Sequence, residues 1–281
     1  MNAPESPPPT IEAWCRAWIE SSDLATKLTP AAPPDPSRAT SWEVDPRPVR
    51  LSAPGRPREL ELTDRSPRTP RGRALLRPEV RAQLVHTFLH HELQAAELFA
   101  WAVLAFPATP RAFRAGLVRL CLSELEHLAL YENHLRRLGS RVGAFPVRDW
   151  FWERVRSCRT PAAFVALLGL GLEGANLEHS ARFAAAFREA GDEEGARILE
   201  RVEEEEVAHV AFAVRWFERL AGEPLTFRSW ERSLPPPITP AVLRGRPINR
   251  DARARAGLDA AFLAQLETVP PPDGSTEERA R

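Results

Sequence analysis

Two copies of a Glu-x-x-His pattern are the residues in this chain best suited to chemistry. Glu124 and His127 form one copy, and Glu206 and His209 form the other. Residues three apart on a helix are surface neighbours on adjacent turns, so each pair can bind one metal ion. Carboxylate with imidazole suits iron or manganese, and a structural zinc site would be expected to use thiolates. The pattern therefore predicts two metal-binding helix faces.

A lone glutamate on an apolar stretch precedes each pair at a similar distance. Glu92 lies 32 residues before Glu124, and Glu173 lies 33 residues before Glu206. The order Glu … Glu-x-x-His, repeated, is that of helix-bundle proteins that hold two iron or manganese ions. We therefore predict a dimetal site with the ligands Glu92, Glu124, His127, Glu173, Glu206 and His209.

These ligands fall near the middle of apolar helical stripes. One such stripe reads Leu199, Val202, Glu206, His209, Ala213, Trp216 and Leu220. Burying an uncompensated charge costs on the order of tens of kcal/mol before its pKa adjusts. Four carboxylates inside one bundle therefore indicate bound cations, which replace repulsion by coordination.

Two further acids compete for the role of ligand. Glu97 follows Glu92 by five residues, and Glu178 follows Glu173 by five. Five residues turn a helix by about 140°, so both members of a pair cannot face the same centre. Apolar neighbours favour Glu92 and Glu173, while Glu97 and Glu178 are second choices or groups that support the ligands.

Other polar residues on these helices have less specific interpretations. Tyr131, one turn beyond His127, is a candidate catalytic residue that donates a hydrogen bond or carries an electron, or else a core aromatic. The acids of the fourth helix that we assign mainly to a solvated face are Glu203, Glu204 and Glu205. The histidines off the stripes, expected at the surface or in support of the ligands, are His90, His91 and His179.

Small residues beside the ligands have two interpretations. They are Ala95, Ala96, Gly169, Gly171, Gly174 and Ala175. They leave room for O₂ or substrate, or they allow close helix packing.

The composition excludes several classes of protein. The chain has 281 residues with 38 basic and 38 acidic side chains, and this balance argues against a general nucleic-acid or membrane-surface binder. Three widely spaced cysteines do not form a disulfide framework or a zinc ribbon. The N-terminus lacks the apolar stretch of a signal peptide, and the longest apolar run is too short to span a bilayer. We expect a cytoplasmic protein.

Helix caps and periodicity predict an all-α fold, a four-helix bundle with one long crossover. Its predicted helices cover residues 78–106, 110–138, 160–190 and 192–221, within a bundle domain of residues 76–222. Residues 1–75 form a short N-terminal helix (11–28) and an extended arm rich in Pro and Arg, and residues 223–281 form an extension with a short helix near 250–267. A shift of 81 residues superposes Glu92 on Glu173, and a shift of 82 superposes Glu124 on Glu206, which indicates two related hairpins.

Four phrases carry a resemblance to a known superfamily: HHELQAAELFAWA, SELEHLALY, LEGANLEHS and EEEVAHVAFAVRWF. They resemble the ferritin-like superfamily, and more narrowly an uncharacterised bacterial family of ferritin-like dimetal proteins. A more distantly similar branch includes a tRNA hydroxylase. The resemblance implies a dimetal centre on the six ligands already named. One difference is Ser123 before Glu124, where a second acid is expected.

We therefore expect an enzyme, a di-iron oxidoreductase that uses O₂ as a hydroxylase or oxidase. Its cofactors would be two iron ions, or manganese, or a mixed pair, and its partners a small-molecule substrate, O₂ and an electron donor. One alternative is a non-catalytic iron-handling or ferroxidase protein, although the long extensions would obstruct a storage cage. Another is a tRNA-modifying or tRNA-binding protein, which the neutral charge disfavours. We expect a monomer or dimer without a membrane partner.

Overall fold

The computed structural model describes residues 10–65, 69–70 and 72–270 of the chain. Regular structure in this part is helical, with a single isolated β-bridge between Leu62 and Val147. The predicted all-α class is confirmed. The helices are α1 (Ile11–Glu20), α2 (Leu24–Leu28), α3 (Pro78–Ala105), α4 (Arg111–Arg137), α5 (Trp150–Val155), α6 (Pro161–Phe164), α7 (Gly174–Glu189), α8 (Glu193–Ala221), α9 (Phe227–Ser233), α10 (Arg250–Arg255) and α11 (Ala260–Thr268).

Four long helical segments build the interior. Helix α3 packs on α4, α7 packs on α8, and α4 also contacts α8. Short loops join the members of each pair, so each pair is an antiparallel hairpin. The ends lie within one residue of the predicted ones because their caps are local. Thr160 accepts a hydrogen bond from the Ala163 N–H at 3.1 Å, and Gly222 ends α8 with φ of 72°.

The third long segment is not one regular helix. Residues Val165–Glu173, called here the π segment, are π-helical and join α6 to α7 without a break. Such segments have more residues per turn and are frequent at functional sites. A simple three-four stripe therefore does not describe the residues before Glu173.

Two short predicted helices were wrong in extent. The N-terminal helix expected over 11–28 is broken between α1 and α2, where Asp23 accepts a hydrogen bond from the Thr26 N–H at 2.8 Å and caps α2. The helix expected near 250–267 is interrupted between α10 and α11 by Gly257, whose φ is 98°. In both places, local turn chemistry overrides the apolar periodicity.

The N-terminal arm is joined to the bundle through Glu97. Lys27 Nζ donates to this buried carboxylate at 2.7 Å, and Arg56 donates two bonds of 2.7 and 2.8 Å. Trp152 of α5 donates a further bond through Nε1 at 2.8 Å. Burial alone would raise the pKa of Glu97, but the charges of Arg56 and Lys27 outweigh it and lower that pKa. Glu97 therefore anchors the arm. Its side chain lies on a different face of α3 from that of Glu92.

The C-terminal extension is joined to the bundle in a similar way through Glu178. Arg253 of α10 donates to this carboxylate from Nε at 2.6 Å and from Nη2 at 2.8 Å, and the Asn249 N–H adds a bond of 3.0 Å. A Cβ on Gly174 would lie 3.0 Å from Arg253 Nη1, so glycine there admits the guanidinium. Both acids considered as second-choice ligands thus serve as anchors.

Two further observations concern the cysteines and the length of the apolar helices. Cys15, Cys121 and Cys158 are buried free thiols. Among the helices of the described residues, none has both the length and the apolar character that a bilayer crossing requires.

Replacing Arg253 by alanine should destabilise the protein by roughly 3–5 kcal/mol, because it leaves the Glu178 carboxylate buried without its partner. The free energy of unfolding, measured by urea denaturation, tests this expectation. Arg255→Ala is the matched control, since Arg255 pairs with Glu204 at the exposed surface of the same short helix. Equal losses in the two variants would contradict the role of the buried pair.

Candidate metal centre

Four helical segments bring the six predicted ligands to one place in the interior. Helix α3 contributes Glu92, α4 contributes Glu124 and His127, the last residue of the π segment is Glu173, and α8 contributes Glu206 and His209. All six are buried, with exposed fractions of at most 5%. On α4 and α8 an apolar stripe faces inward, whereas the π segment and the C-terminal half of α3 are buried on nearly every face.

The six side chains form two groups that overlap. One group is Glu92, Glu124, His127 and Glu206, and the other is Glu124, Glu173, Glu206 and His209. Within each group, one ligand atom per residue lies within 4.8 Å of the others. Glu124 and Glu206 belong to both groups. Each group could hold a metal ion, and the two shared carboxylates could bridge a pair of ions.

The imidazoles present the same nitrogen to the carboxylates. His209 Nδ1 lies 2.7 Å from Glu124 Oε1 and 3.0 Å from Glu206 Oε2. His127 Nδ1 lies 3.3 Å from Glu124 Oε2 and 3.8 Å from Glu206 Oε1, with Glu92 Oε2 at 4.0 Å. The two rings stack with centroids 5.6 Å apart. Both Nδ1 atoms therefore point into the cluster and are the ligand atoms it offers.

Without a cation, the buried carboxylates of the cluster repel one another. Burial raises the pKa of Glu92, and the charges of Glu124, Glu206 and Glu173 raise it further. Burial and the charges of Glu206 and Glu124 likewise raise the pKa of Glu173. For Glu124, burial alone would raise the pKa, but His209 and His127 outweigh it and lower that pKa. Glu92 and Glu173 therefore resist ionisation while Glu124 carries its charge.

Unsatisfied polar atoms indicate what the cluster fits. Glu124 Oε1, Glu173 Oε1, Glu206 Oε2 and His209 Nδ1 are buried without a hydrogen bond of good geometry, although His209 Nδ1 lies only 2.7 and 3.0 Å from the Glu124 and Glu206 oxygens. Such atoms normally have a partner, and each unpaired one needs an explanation. All four are donors of electron pairs of the kind that iron and manganese accept. The residues present therefore fit a pair of such cations.

The outer nitrogen of each imidazole is held by the other hairpin. His127 Nε2 lies 2.9 Å from Glu205 Oε2, and His209 Nε2 lies 2.9 Å from Ser123 Oγ. Each partner immediately precedes the shared glutamate of its own helix. A metal-binding histidine usually donates its second N–H in this way, which fixes the ring and its tautomer.

Glu205 is one of two residues in contact with the cluster that sequence reasoning missed. It was assigned mainly to a solvated face, and its side chain is 35% exposed, yet it reaches His127 across the helix interface. The signal available in the sequence was its position beside Glu206, matched by Ser123 beside Glu124. Asn176 was also missed, and its Nδ2 donates to Glu206 Oε1 at 3.1 Å.

The remaining candidates have distinct places. Tyr131 is buried, its ring centroid lies 5.8 Å from that of Phe88, and burial with the nearby carboxylates, Glu92 foremost, raises its pKa. His90, expected at the surface or in support of the ligands, is buried, with Nε2 3.0 Å from Asp149 Oδ1. His91 and His179 line a cavity beside Glu92 and Glu173.

Comparison with known proteins adds a family but no function. Neither the curated proteins nor the solved structures gave a match to this chain. One family model, described as "Protein of unknown function (DUF455)", matches residues 14–264, which include all six clustered residues and the anchoring residues Lys27, Arg56 and Arg253. Since the match covers most of the chain, the protein belongs to this DUF455 family.

Proposed function

We propose that the protein is a dimetal carboxylate oxidoreductase that uses O₂ to hydroxylate or oxidise a small molecule. Its ions would be two irons, or manganese, or one of each. The observation that carries the proposal is the pair of overlapping ligand groups that share Glu124 and Glu206. The ferritin-like resemblance of the helices supports the same interpretation.

The residues of the two ligand groups would have separate roles. Glu92, Glu124, Glu206 and the Nδ1 of His127 would hold one ion, and Glu124, Glu173, Glu206 and the Nδ1 of His209 would hold the other. When bound, iron would pass electrons from a donor to O₂, which is the oxidant. The apolar stripes around the ligands exclude water, which protects a strong oxidant from side reactions.

Protons and electrons must also be accounted for. Hydroxylation places one oxygen atom in the substrate and releases the other as water, which consumes two electrons and two protons, so we expect an external electron donor. Since burial raises the pKa of Tyr131, its hydroxyl keeps its proton and can donate a hydrogen bond into the site. An organic substrate, rather than iron handling alone, is favoured by the cavity beside Glu92 and Glu173.

Anaerobic loading with ferrous iron should give two irons per chain, and exposure to air should cause O₂ uptake. Glu206→Ala should halve the metal content or lower it further, because both groups lose a shared ligand. Elemental analysis and an oxygen electrode measure both quantities. Glu204→Ala, at an exposed position of the same helix, is the control and should keep two irons. Unchanged stoichiometry in Glu206→Ala would reject the assignment.

Glu92→Ala should lower iron content, whereas Glu97→Ala should retain iron and lower the melting temperature. The reason is that Glu97 neutralises Lys27 and Arg56 and is directed away from the cluster. Elemental analysis and thermal unfolding of the two purified variants test this pair. The reverse order of metal loss would exchange the roles of the two residues.

Glu205→Ala should weaken metal affinity by about 10–100-fold, the usual cost of removing a partner of a metal-binding histidine. Ser123→Ala should weaken it less, because a carboxylate is a stronger hydrogen-bond acceptor than a hydroxyl. Competition against a chelator of known affinity measures both variants. A larger effect at Ser123 would show that Glu205 does not have this role.

A further inference from the structure

A cavity of about 180 Å³ lies against the candidate metal centre, on the side of Glu92 and Glu173. Both carboxylates form part of its wall, so a molecule inside would lie beside the proposed ions. The ring of Tyr131 also lines it. This position is where the substrate of a dimetal oxidoreductase has to bind.

The size of the cavity limits its occupant. An engineered apolar cavity of about 150 Å³ in another protein binds benzene. A space of about 180 Å³ therefore accommodates one aromatic ring with a small substituent. Ala95 and Ala175 lie in its wall, so these two small residues leave room. Gly169 serves packing instead, since a Cβ there would lie 2.6 Å from Ala213 Cβ.

Five of the described residues that line the cavity are Phe, Tyr or Trp. Phe88 and Phe183 pack with centroids 5.1 Å apart, and the His91 ring stacks on Phe151 at 4.8 Å. Phe151 and Trp150 come from α5 in the crossover, and Val242 comes from the C-terminal extension. The segments outside the four long helices therefore complete the cavity. Aromatic faces favour a flat ring in offset or edge-to-face contact.

Neither the wall nor the proposed centre offers a net positive charge to an anion, because the four carboxylates of the centre would balance two divalent ions. Among the described residues that line the cavity, none is Arg or Lys. Apart from Glu92 and Glu173, its polar groups are those of His91, His179, Asn176, Ser180 and Tyr131. Burial lowers the pKa of His179 to about 4, so that imidazole is uncharged at neutral pH. A carboxylate or phosphate in this cavity would lose its hydration without gaining an oppositely charged side chain as a partner.

We propose that the cavity is the substrate site and that it takes an uncharged, ring-sized organic molecule with a hydrogen-bonding substituent. This inference rests on the proposed dimetal function. It excludes nucleotides and other phosphorylated compounds as the group that enters the cavity.

Phenol and benzoate, which share a ring and differ in charge, are the probes for this proposal. Ligand-observed NMR titration of the full chain should show phenol binding at least about tenfold more tightly than benzoate, a difference of ~1.4 kcal/mol. Val242→Trp should abolish phenol binding by filling the cavity from a residue outside the metal-binding helices. Val242→Ala, the matched control, should keep it.

Three results would overturn the proposal: benzoate binding as tightly as phenol, no saturable phenol binding, or normal phenol binding to Val242→Trp. Iron content is measured on each sample to separate the proposed dimetal function from the proposed class of substrate. Full iron content without phenol binding refutes only the substrate class. Selective phenol binding by a protein that holds no metal refutes the proposed oxidoreductase function. It leaves the proposed class of ligand for the cavity unchanged.

Discussion

The structure depends on placing four carboxylates and two imidazoles at one point inside an apolar interior. Each acid loses hydration there and repels its neighbours, which is why burial and mutual charge raise the pKa of Glu92 and Glu173. The two histidines compensate only in part, since they lower the pKa of Glu124 while those of Glu92 and Glu173 stay raised. A pair of cations would remove the repulsion and also satisfy the carboxylate oxygens that lack hydrogen bonds.

The same helices carry a second pair of buried acids, whose charges are neutralised by the chain itself. Five residues after each single ligand, the helix has turned by about 140°, and Glu97 and Glu178 face away from the cluster. Lys27 and Arg56 neutralise the first, and Arg253 neutralises the second. Corresponding acids of the internal repeat therefore have the same role in both hairpins. The terminal extensions provide the positive charges that neutralise Glu97 and Glu178. A buried acid with arginine or lysine partners is an anchor, whereas a buried acid facing other acids has to hold a proton or contact a cation.

Much of this arrangement could be predicted from the sequence because its determinants are local. Proline at the start of α3, the Thr160 cap and Gly222 mark helix ends, and the repeated spacing selects the side chains that meet. The missed features depend on contacts between distant residues. Glu205 reaches His127 from 78 positions away, and Arg253 reaches Glu178 from 75. The π segment was missed for another reason, since a change of hydrogen-bond register leaves the residue types unchanged. The metal, the reaction and the superfamily relationship stay predictions.

The two halves of the proposed centre are not equivalent, and the difference follows from one substitution within the repeat. Where the second hairpin has Glu205, the first has Ser123, so His127 faces a carboxylate and His209 faces a hydroxyl. A carboxylate partner makes an imidazole a stronger electron donor than a hydroxyl does. The ion held by Glu92 and His127 would therefore be the more electron-rich of the two. Since Glu92 and Glu173 both line the aromatic cavity, a substrate there would meet two unlike ions. An internal repeat thus gives a symmetric set of ligands, and the residues behind the ligands make the two positions chemically different.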